Sequence, residues 1–570
     1  MQFADVALAQ SGQSNGQIVK PEDIAREAIR QQEARIEEQR KKLQVSPDVL
    51  KAGTDISQSF TLPTESTCFV LREIQITSDY RSNFNFLQAI ADRFLGQCAG
   101  VNGLRQIVSV LDSVLLEKAY VTTRVSLPRQ NLAEGKLELF LHVGRIADVK
   151  MIEAGDATQA LNSDWGTWKN AFPISKDQIL NVRDLEQGVE QMTRLPSQVI
   201  NTKIEPGDAA NTSVILIERQ PIRFNDRVHG GITLDNSGSQ TLGRAQSSSY
   251  LSLDNPLGFN DMLTVNAGIN LQNPNNTHRS QSVFASYSIP WGYHHLNISL
   301  SNNQFAQMVQ GTTTKFLSSG GSHGLDAKWN TIFWRSASTK VSAFVGISTR
   351  RASSFLDDVE LLVQRRRTSS AEIGFSTKTL FEQGSFNFEA YFKRGVSWFD
   401  AQADFEKSDE STITLRPRIF NFNAAFQKSF LFASSKTPVQ YSLNLRGQYT
   451  SDNTLSIDQI SIGGRSSVRG FDGDSVLLAE SGLVLRNDFS TALQTFFCAN
   501  NSLYFAVDYG RIAGKSARHL QEKSLSGTAI GMRTGWKNLY VDFSVGYPLS
   551  APKIFQTRRI NPYLSMTYSM

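Results

Sequence analysis

The sequence predicts a transmembrane β-barrel of about sixteen antiparallel strands, preceded by two small α+β units and an N-terminal polar helix. Three observations carry this expectation. After Pro221, apolar and polar residues alternate with period two in segment after segment, with no helical stretch. Between Glu65 and Gln220, two successive stretches repeat a β-α-α-β-β-like order. Nowhere do eighteen apolar residues run consecutively. A spanning helix is therefore excluded, whereas a barrel, whose segments are short and alternating, is not.

The chain has 570 residues, 58 basic and 53 acidic, for a formal net charge of +5. The two signs are interspersed, so the polybasic footprint of a nucleic-acid binder is missing. Mean hydropathy is −0.27. Of the three cysteines, Cys68 and Cys98 fall thirty positions apart in one predicted unit, and Cys498 lies far away. Two readings stand open. A Cys68–Cys98 bridge would require an oxidising compartment and contribute roughly 3–4 kcal/mol. The other reading is three reduced, buried thiols.

Residues 1–19 contain an apolar stretch and Ala7-Leu8-Ala9 before Gln10, like a signal cleavage site. They lack a basic leading region and include Asp5, so the expectation is a leader remnant. Residues 20–44 form a predicted helix. Pro21, Glu22 and Asp23 open it, Arg40, Lys41 and Lys42 suit its C-terminal dipole, and Glu22–Arg26, Glu37–Lys41 and Glu38–Lys42 are favourable i,i+4 pairs. Its apolar stripe is only Ile29, Ile36 and Leu43, too thin for a globular core. It is either a solvated helix or weak coiled coil, or a helix inside a wet cavity. Residues 45–65, with Gly53 and Pro63, read as a linker.

The first unit, 66–145, reads as a strand at "CFVLREIQI", helices near 84–96 and 103–118, and strands at "VTTRVSLP" and "KLELFLHVG". The second, 146–219, reads as a strand at "IADVKMIEA", a helix near 176–193, and strands at "SQVINTKIEPG" and "NTSVILIER". The barrel occupies 220–570. Leu263, Val265, Ala267 and Ile269 form one apolar line, and Leu539, Val541, Phe543, Val545 and Tyr547 another. Their polar neighbours face a water-filled lumen.

Catalytic motifs fail on context. "GGSHG" at Gly320–Gly324 fits a nucleophile elbow only at a strand-to-helix turn, and it is expected in a loop between barrel strands. "GRIAGKS" at Gly510–Ser516 lacks one residue between its glycines and has no following helix to be a phosphate loop. The histidines and cysteines show no metal-ligand spacing. The expectation is no enzyme, no metal and no cofactor.

"SSVRGFDGD" at Ser466–Asp474, in a loop near 460–480, carries an arginine that no ordinary turn needs. In "YFAVDYGRI", Phe505, Val507 and Tyr509 alternate with Ala506, Asp508 and Gly510. If the aromatics face lipid, Asp508 faces the lumen, where a loop-borne Arg469 would pair with it. Gly470 would let the tip turn and Phe471 wedge against the wall. The alternative is a surface loop whose arginine meets only solvent.

Val468-Arg469-Gly470-Phe471, followed by Phe505-x-x-Asp508-x-Gly510, resembles the paired motifs of the two-partner secretion transporters (the TpsB family). These belong to the superfamily of POTRA-bearing outer-membrane barrels. "AYVTTRVSLPRQNLAEGKLELFLHVGRI", "DLEQGVEQMTRLPSQ", "LDNSGSQTLGRAQ" and "LSLDNPLGFNDML" extend the likeness over nearly the whole chain. The resemblance implies a sixteen-stranded barrel whose Arg469 loop lies between strands eleven and twelve, two periplasmic POTRA domains, and a Cys68–Cys98 pair in the first. It implies that the 20–44 helix plugs the lumen. It further implies ATP-independent secretion of an unfolded exoprotein recognised by the POTRA domains, with outer-membrane lipid and the barrel-assembly machinery as further partners of a monomer. The cargo would be an adhesin, a cytolysin or a contact-dependent growth-inhibition toxin, the overall likeness favouring the last. The alternative is a barrel-assembly insertase of the BamA type. The chain ends in "YLSMTYSM" rather than in an aromatic residue, so the insertion machinery is expected to rely on Tyr563 and Tyr568.

Overall fold

The computed structural model describes residues 60–570 except 155, 161–165, 241, 311–313, 407–411, 432–436, 494–499 and 554. The expected leader, the 20–44 helix, most of the 45–65 linker and Cys498 lie outside the described residues.

In the first unit, the central strand Lys136–His142 pairs in parallel with Glu73–Thr77 and antiparallel with Arg124–Ser126. Alternation along these strands turns Ile74, Ile76, Leu137, Leu139 and Leu141 to one face, where helices Asn85–Ala91 and Val101–Glu117 cover them. The long helix supplies Ile107, Val110, Leu111, Val114 and Leu115 at three- and four-residue spacing. Gly100 cannot cap it, and the Glu65 carboxylate takes the amides of Asn102 and Gly103 instead, at 3.0 and 2.7 Å. Those amides hold the Glu65 carboxyl below its ordinary range. The expected single strand "CFVLREIQI" is two. At Leu71–Arg72 the chain leaves its pairing with Cys98–Ala99 and joins Lys136–His142, with Leu71 fully buried at the step. Cys68 and Cys98 are bonded beside the first of these pairings, with Cα atoms 5.4 Å apart.

The second unit departs from the expected repeat. Its sheet has the order Asp156–Ala160, Arg145–Glu153, Thr212–Arg219, Ile200–Pro206, and its helix is Val182–Thr193. Residues 176–181 are not helical: Asp177 adopts φ 65°, and the Leu180 amide is spent on Gly144. Asn181 then caps the helix by accepting from the Arg183 amide at 2.9 Å. In place of a second helix the unit has the extra strand Asp156–Ala160, and a turn-rich stretch after it contributes Ala171, Phe172 and Ile174 to the core. Gly188 lets the Phe172 ring lie on the helix, because a Cβ there would stand 2.1 Å from it.

The remainder closes into an antiparallel barrel of 16 strands. The first, Val228–Asp235, pairs with the second, Gln246–Asp254, and also with the last, Asn561–Ser569. Parity follows the sequence: Leu263 and Val265 face outward, while Thr264 and Asn266 are buried towards the lumen. Strands exceed the ten or so residues that a bilayer needs. Lys315–Arg335 has 21 residues and Thr339–Leu356 has 18, so this sector of the wall rises beyond the lipid. "GGSHG" therefore lies inside a strand rather than in a loop. A Cβ on Gly320 would stand 2.8 Å from the Phe305 ring, and one on Gly324 would stand 2.6 Å from Ser301 Oγ. These two glycines are packing positions.

The second unit is fastened under one side of the barrel. Gln187 and Gln191 both donate to the Gly292 carbonyl at 3.0 Å, and Asn170 donates to Phe259 and Pro290 carbonyls. Glu190 accepts from Arg335 at 2.9 Å and from Lys340 at 2.5 Å. Arg194 reaches Ser288 Oγ and the Asn260 carbonyl, each at 2.6 Å. Burial pushes the Arg194 guanidinium down to about 10, still charged at neutral pH. The expected thiol count follows from the first unit: denatured, unreduced protein should take up label on one cysteine per chain. Three labelled cysteines would contradict the bond.

Candidate functional site

Between the eleventh strand, Pro438–Tyr449, and the twelfth, Ser481–Ala492, residues 450–480 fold back into the lumen. A short hairpin, Ile460–Ile462 with Leu477–Ala479, forms the stem. Its apolar side chains join Val468, Phe471, Val484, Ile512 and Leu525 in a buried cluster inside the barrel. The loop thus carries its own small core, which offsets the entropy of ordering it.

Arg469 stands at the loop's turn, 4 % exposed, against Asp508, which is 1 % exposed. Its Nε and Nη2 donate to the two carboxylate oxygens at 2.7 Å each, and its own backbone amide donates to the same carboxylate at 2.9 Å. This is a bidentate fork with a third bond fixing the main chain. Nη1 donates to Asp488 at 2.6 Å. Gly470 follows at φ 109°, a conformation that disfavours side chains. The fully buried Phe471 ring meets Phe555 edge-on at 5.5 Å. Farther along, Asp474 pairs with Arg244 and accepts from the Gln240 amide, tying the loop to the connection after the first strand.

The wall is shaped for this seat. Gly510, Gly527 and Gly546 lie on three successive strands, Asn500–Ala513, Ser524–Trp536 and Leu539–Ser550. Added Cβ atoms would stand 2.8 Å from Val468, 1.9 Å from the Arg469 carbonyl and 2.8 Å from the Gly470 amide, respectively. Only bare backbone lets the loop come so close. The last strand completes the seat. Tyr563 Oη accepts from the Gly470 amide at 2.9 Å and donates to the Phe471 carbonyl at 2.8 Å, and Asn561 donates to the Gly470 carbonyl at 2.6 Å.

Val468, Arg469, Gly470, Phe471, Asp508 and Gly510 thus come together at one place. Phe505 does not join them: it faces outward at 48 % exposure, as parity requires of a residue three before Asp508. In the folded barrel the Tyr563 side chain is committed to the lumen loop, whereas Tyr568 is 53 % exposed. Sequence reasoning missed Asp488, although the parity that puts Asp508 inside applies equally on Ser481–Ala492, where Leu485 and Asn487 alternate with Arg486 and Asp488. It also missed the glycine seat, whose signal was glycine recurring at lumen-facing strand positions.

A periplasmic-type pair of α+β units, a sixteen-stranded barrel and a loop pinned in its lumen define a POTRA-bearing outer-membrane barrel. A model of the haemolysin secretion/activation protein ShlB/FhaC/HecB family matches residues 211–534, a ShlB-type POTRA model matches 69–144 and a further POTRA model matches 145–206. The chain belongs to the ShlB/FhaC/HecB family. Outer membrane transporter CdiB-2 of Burkholderia pseudomallei is 28% identical over 89% of this chain and 87% of its own. Hemolysin transporter protein HpmB of Proteus mirabilis is 27% identical over 77% of this chain and 75% of its own. The solved structure of CdiB from Escherichia coli superposes with a TM-score of 0.83 at 25% identity, covering 98% of this chain and 100% of that one. The protein is an outer-membrane transporter of two-partner secretion, of the CdiB type, with its POTRA domains in the periplasm. The insertase alternative gives way to secretion.

Arg469→Ala and Asp508→Ala should each impair secretion of the cognate exoprotein while the barrel still assembles. A double mutant no worse than either single variant is the expected outcome of the cycle, because the two residues act as one unit. Strictly additive losses would show independent roles.

Proposed function

We propose that this transporter takes an unfolded exoprotein from the periplasm, captures it on its POTRA sheets and passes it through the barrel, the cargo being a contact-dependent growth-inhibition toxin. The observation that carries the capture step is a free sheet edge. Among the described residues, strand Ile200–Pro206 ends its sheet and pairs on one side only, with Thr212–Arg219. The amides and carbonyls of its other side are open to a segment without structure of its own, which would add as a further strand. The resemblance of the whole chain to the CdiB transporters supports the choice of cargo. Folding of the cargo outside would make passage one-way without ATP.

The pinned loop serves as a positioning element for the lumen wall, and the 20–44 helix serves as a resting plug. Two features support the plug reading. The helix sequence is polar almost all round, and the lumen face of the third to fifth strands bears Asn266, Ser282, Ser286, Asn297, Ser299 and Asn303. Such a wall, polar apart from Phe284 and Phe305, solvates a polar helix.

Deleting 146–219 should abolish secretion of a co-expressed exoprotein while the barrel remains heat-modifiable on gels. Normal secretion from that variant would defeat the capture step. Deleting 20–44 should raise single-channel conductance in planar bilayers. Unchanged conductance would remove the plug and leave a periplasmic helix.

A further inference from the structure

The outer surface of the barrel carries two facing pairs of arginines on the seventh to tenth strands, near the ends away from the POTRA units. In Thr339–Leu356 and Arg366–Phe381, Arg351 stands directly opposite Arg367. In Gly384–Val396 and Arg418–Leu431, Arg394 stands directly opposite Arg418. All four share the outward parity of the lipid-facing residues on their strands, and all are exposed. Ladder spacing puts the two pairs roughly 14 Å apart, within reach of one another's side chains.

Like charges directly opposite on neighbouring strands are destabilising unless something neutralises them. Asp400 lies 3.3 Å from Arg367, and Asp452 lies 2.8 Å from Arg418. Arg351 and Arg394 have no ion pair among the described residues. Two guanidinia therefore remain uncompensated, one in each pair. Towards the membrane the same faces turn apolar: Phe392 and Phe420 follow at the next outward positions below Arg394 and Arg418, and below Arg351 and Arg367 Ile347 and Ile373 follow after Thr349 and after Ser369 and Ala371. Tyr449, opposite Phe420, marks the aromatic girdle at that level. The POTRA units are fastened at the other end, so these arginines sit at the boundary of the outer leaflet.

We propose that Arg351, Arg367, Arg394 and Arg418 form a binding site for a phosphorylated glycolipid of the outer leaflet, its phosphates on the guanidinia and its acyl chains on the apolar face beneath. The arginine fork matches phosphate oxygens in geometry as well as charge. An acyl-chain anchor selects a lipid over a free anion, because the apolar face lies directly below the cations. The site is independent of the cargo and of the Arg469 turn, and it touches the lumen loop only at its first residues, through Asp452.

Full-length protein in detergent should bind bisphosphorylated lipid A and not its dephosphorylated form. R351S/R394S, leaving the two acid-paired arginines in place, should weaken that binding at least about tenfold. R351K/R394K, which keeps the charge and loses the fork, should fall between the parent and R351S/R394S, and R511S, on an outward position of the thirteenth strand outside this sector, should change nothing. Equal binding of the dephosphorylated lipid would overturn the proposal without recourse to any variant. So would undiminished binding by a heat-modifiable R351S/R394S barrel, or displacement of the lipid by millimolar inorganic phosphate.

Discussion

A guanidinium held between two carboxylates inside the barrel is the contact on which the lumen is organised. Arg469 could not be buried alone, since desolvating one charge costs several kcal/mol. Asp508 and Asp488 offset that cost only because the geometry is bidentate and short. The fork also takes the Arg469 backbone amide, so the ion pair fixes main chain as well as side chain. Everything near it follows from that fixed point: Gly470 must turn, Phe471 must go into the loop's small core, and three wall strands must present glycine.

The arrangement around the cluster is itself charge-balanced. Arg486 approaches Asp508 at 3.9 Å, and Arg533 lies 3.8 Å from Asp488 and 3.4 Å from Asp542. Cations and carboxylates alternate across the lumen face of the twelfth to fifteenth strands. A network of this kind distributes the loss of one partner among the others, so the loop can be held firmly in a lumen that also admits water. The apolar cluster of Ile462, Val468, Phe471 and Ile512 works in the same direction by excluding water from one flank.

The barrel was legible because its signal is repeated: period-two alternation accumulates over strand after strand, and a lumen assignment for one residue fixes all others on that strand. That parity sufficed for Asp508 and would have sufficed for Asp488. It could not foresee Tyr563, whose partner lies 92 or 93 positions away, nor the contacts of Asn170 and Arg194, because these depend on how two units dock. Local grammar failed where tertiary contacts took over. "CFVLREIQI" has the composition of one strand but serves two pairings, and 176–181 has helical content but spends the Leu180 amide on Gly144 of the first unit and the Asp177 amide on Ile146. "GGSHG" misled in the opposite sense, since glycines read as a loop are there to make room for Phe305 and Ser301.

The second POTRA unit grips the barrel through Phe259, Asn260, Ser288, Pro290, Gly292, Arg335 and Lys340, all on or beside the turns joining the second to seventh strands. The second unit is therefore fastened along one rim of the periplasmic mouth, like a bracket screwed to one side of a frame. On the route proposed above, a polypeptide arriving from below would enter past the other rim, built from the later strands. That sector carries Asp488 and Asp508, with Arg469 seated against them, so the proposed path and the charged wall would share one side of the molecule.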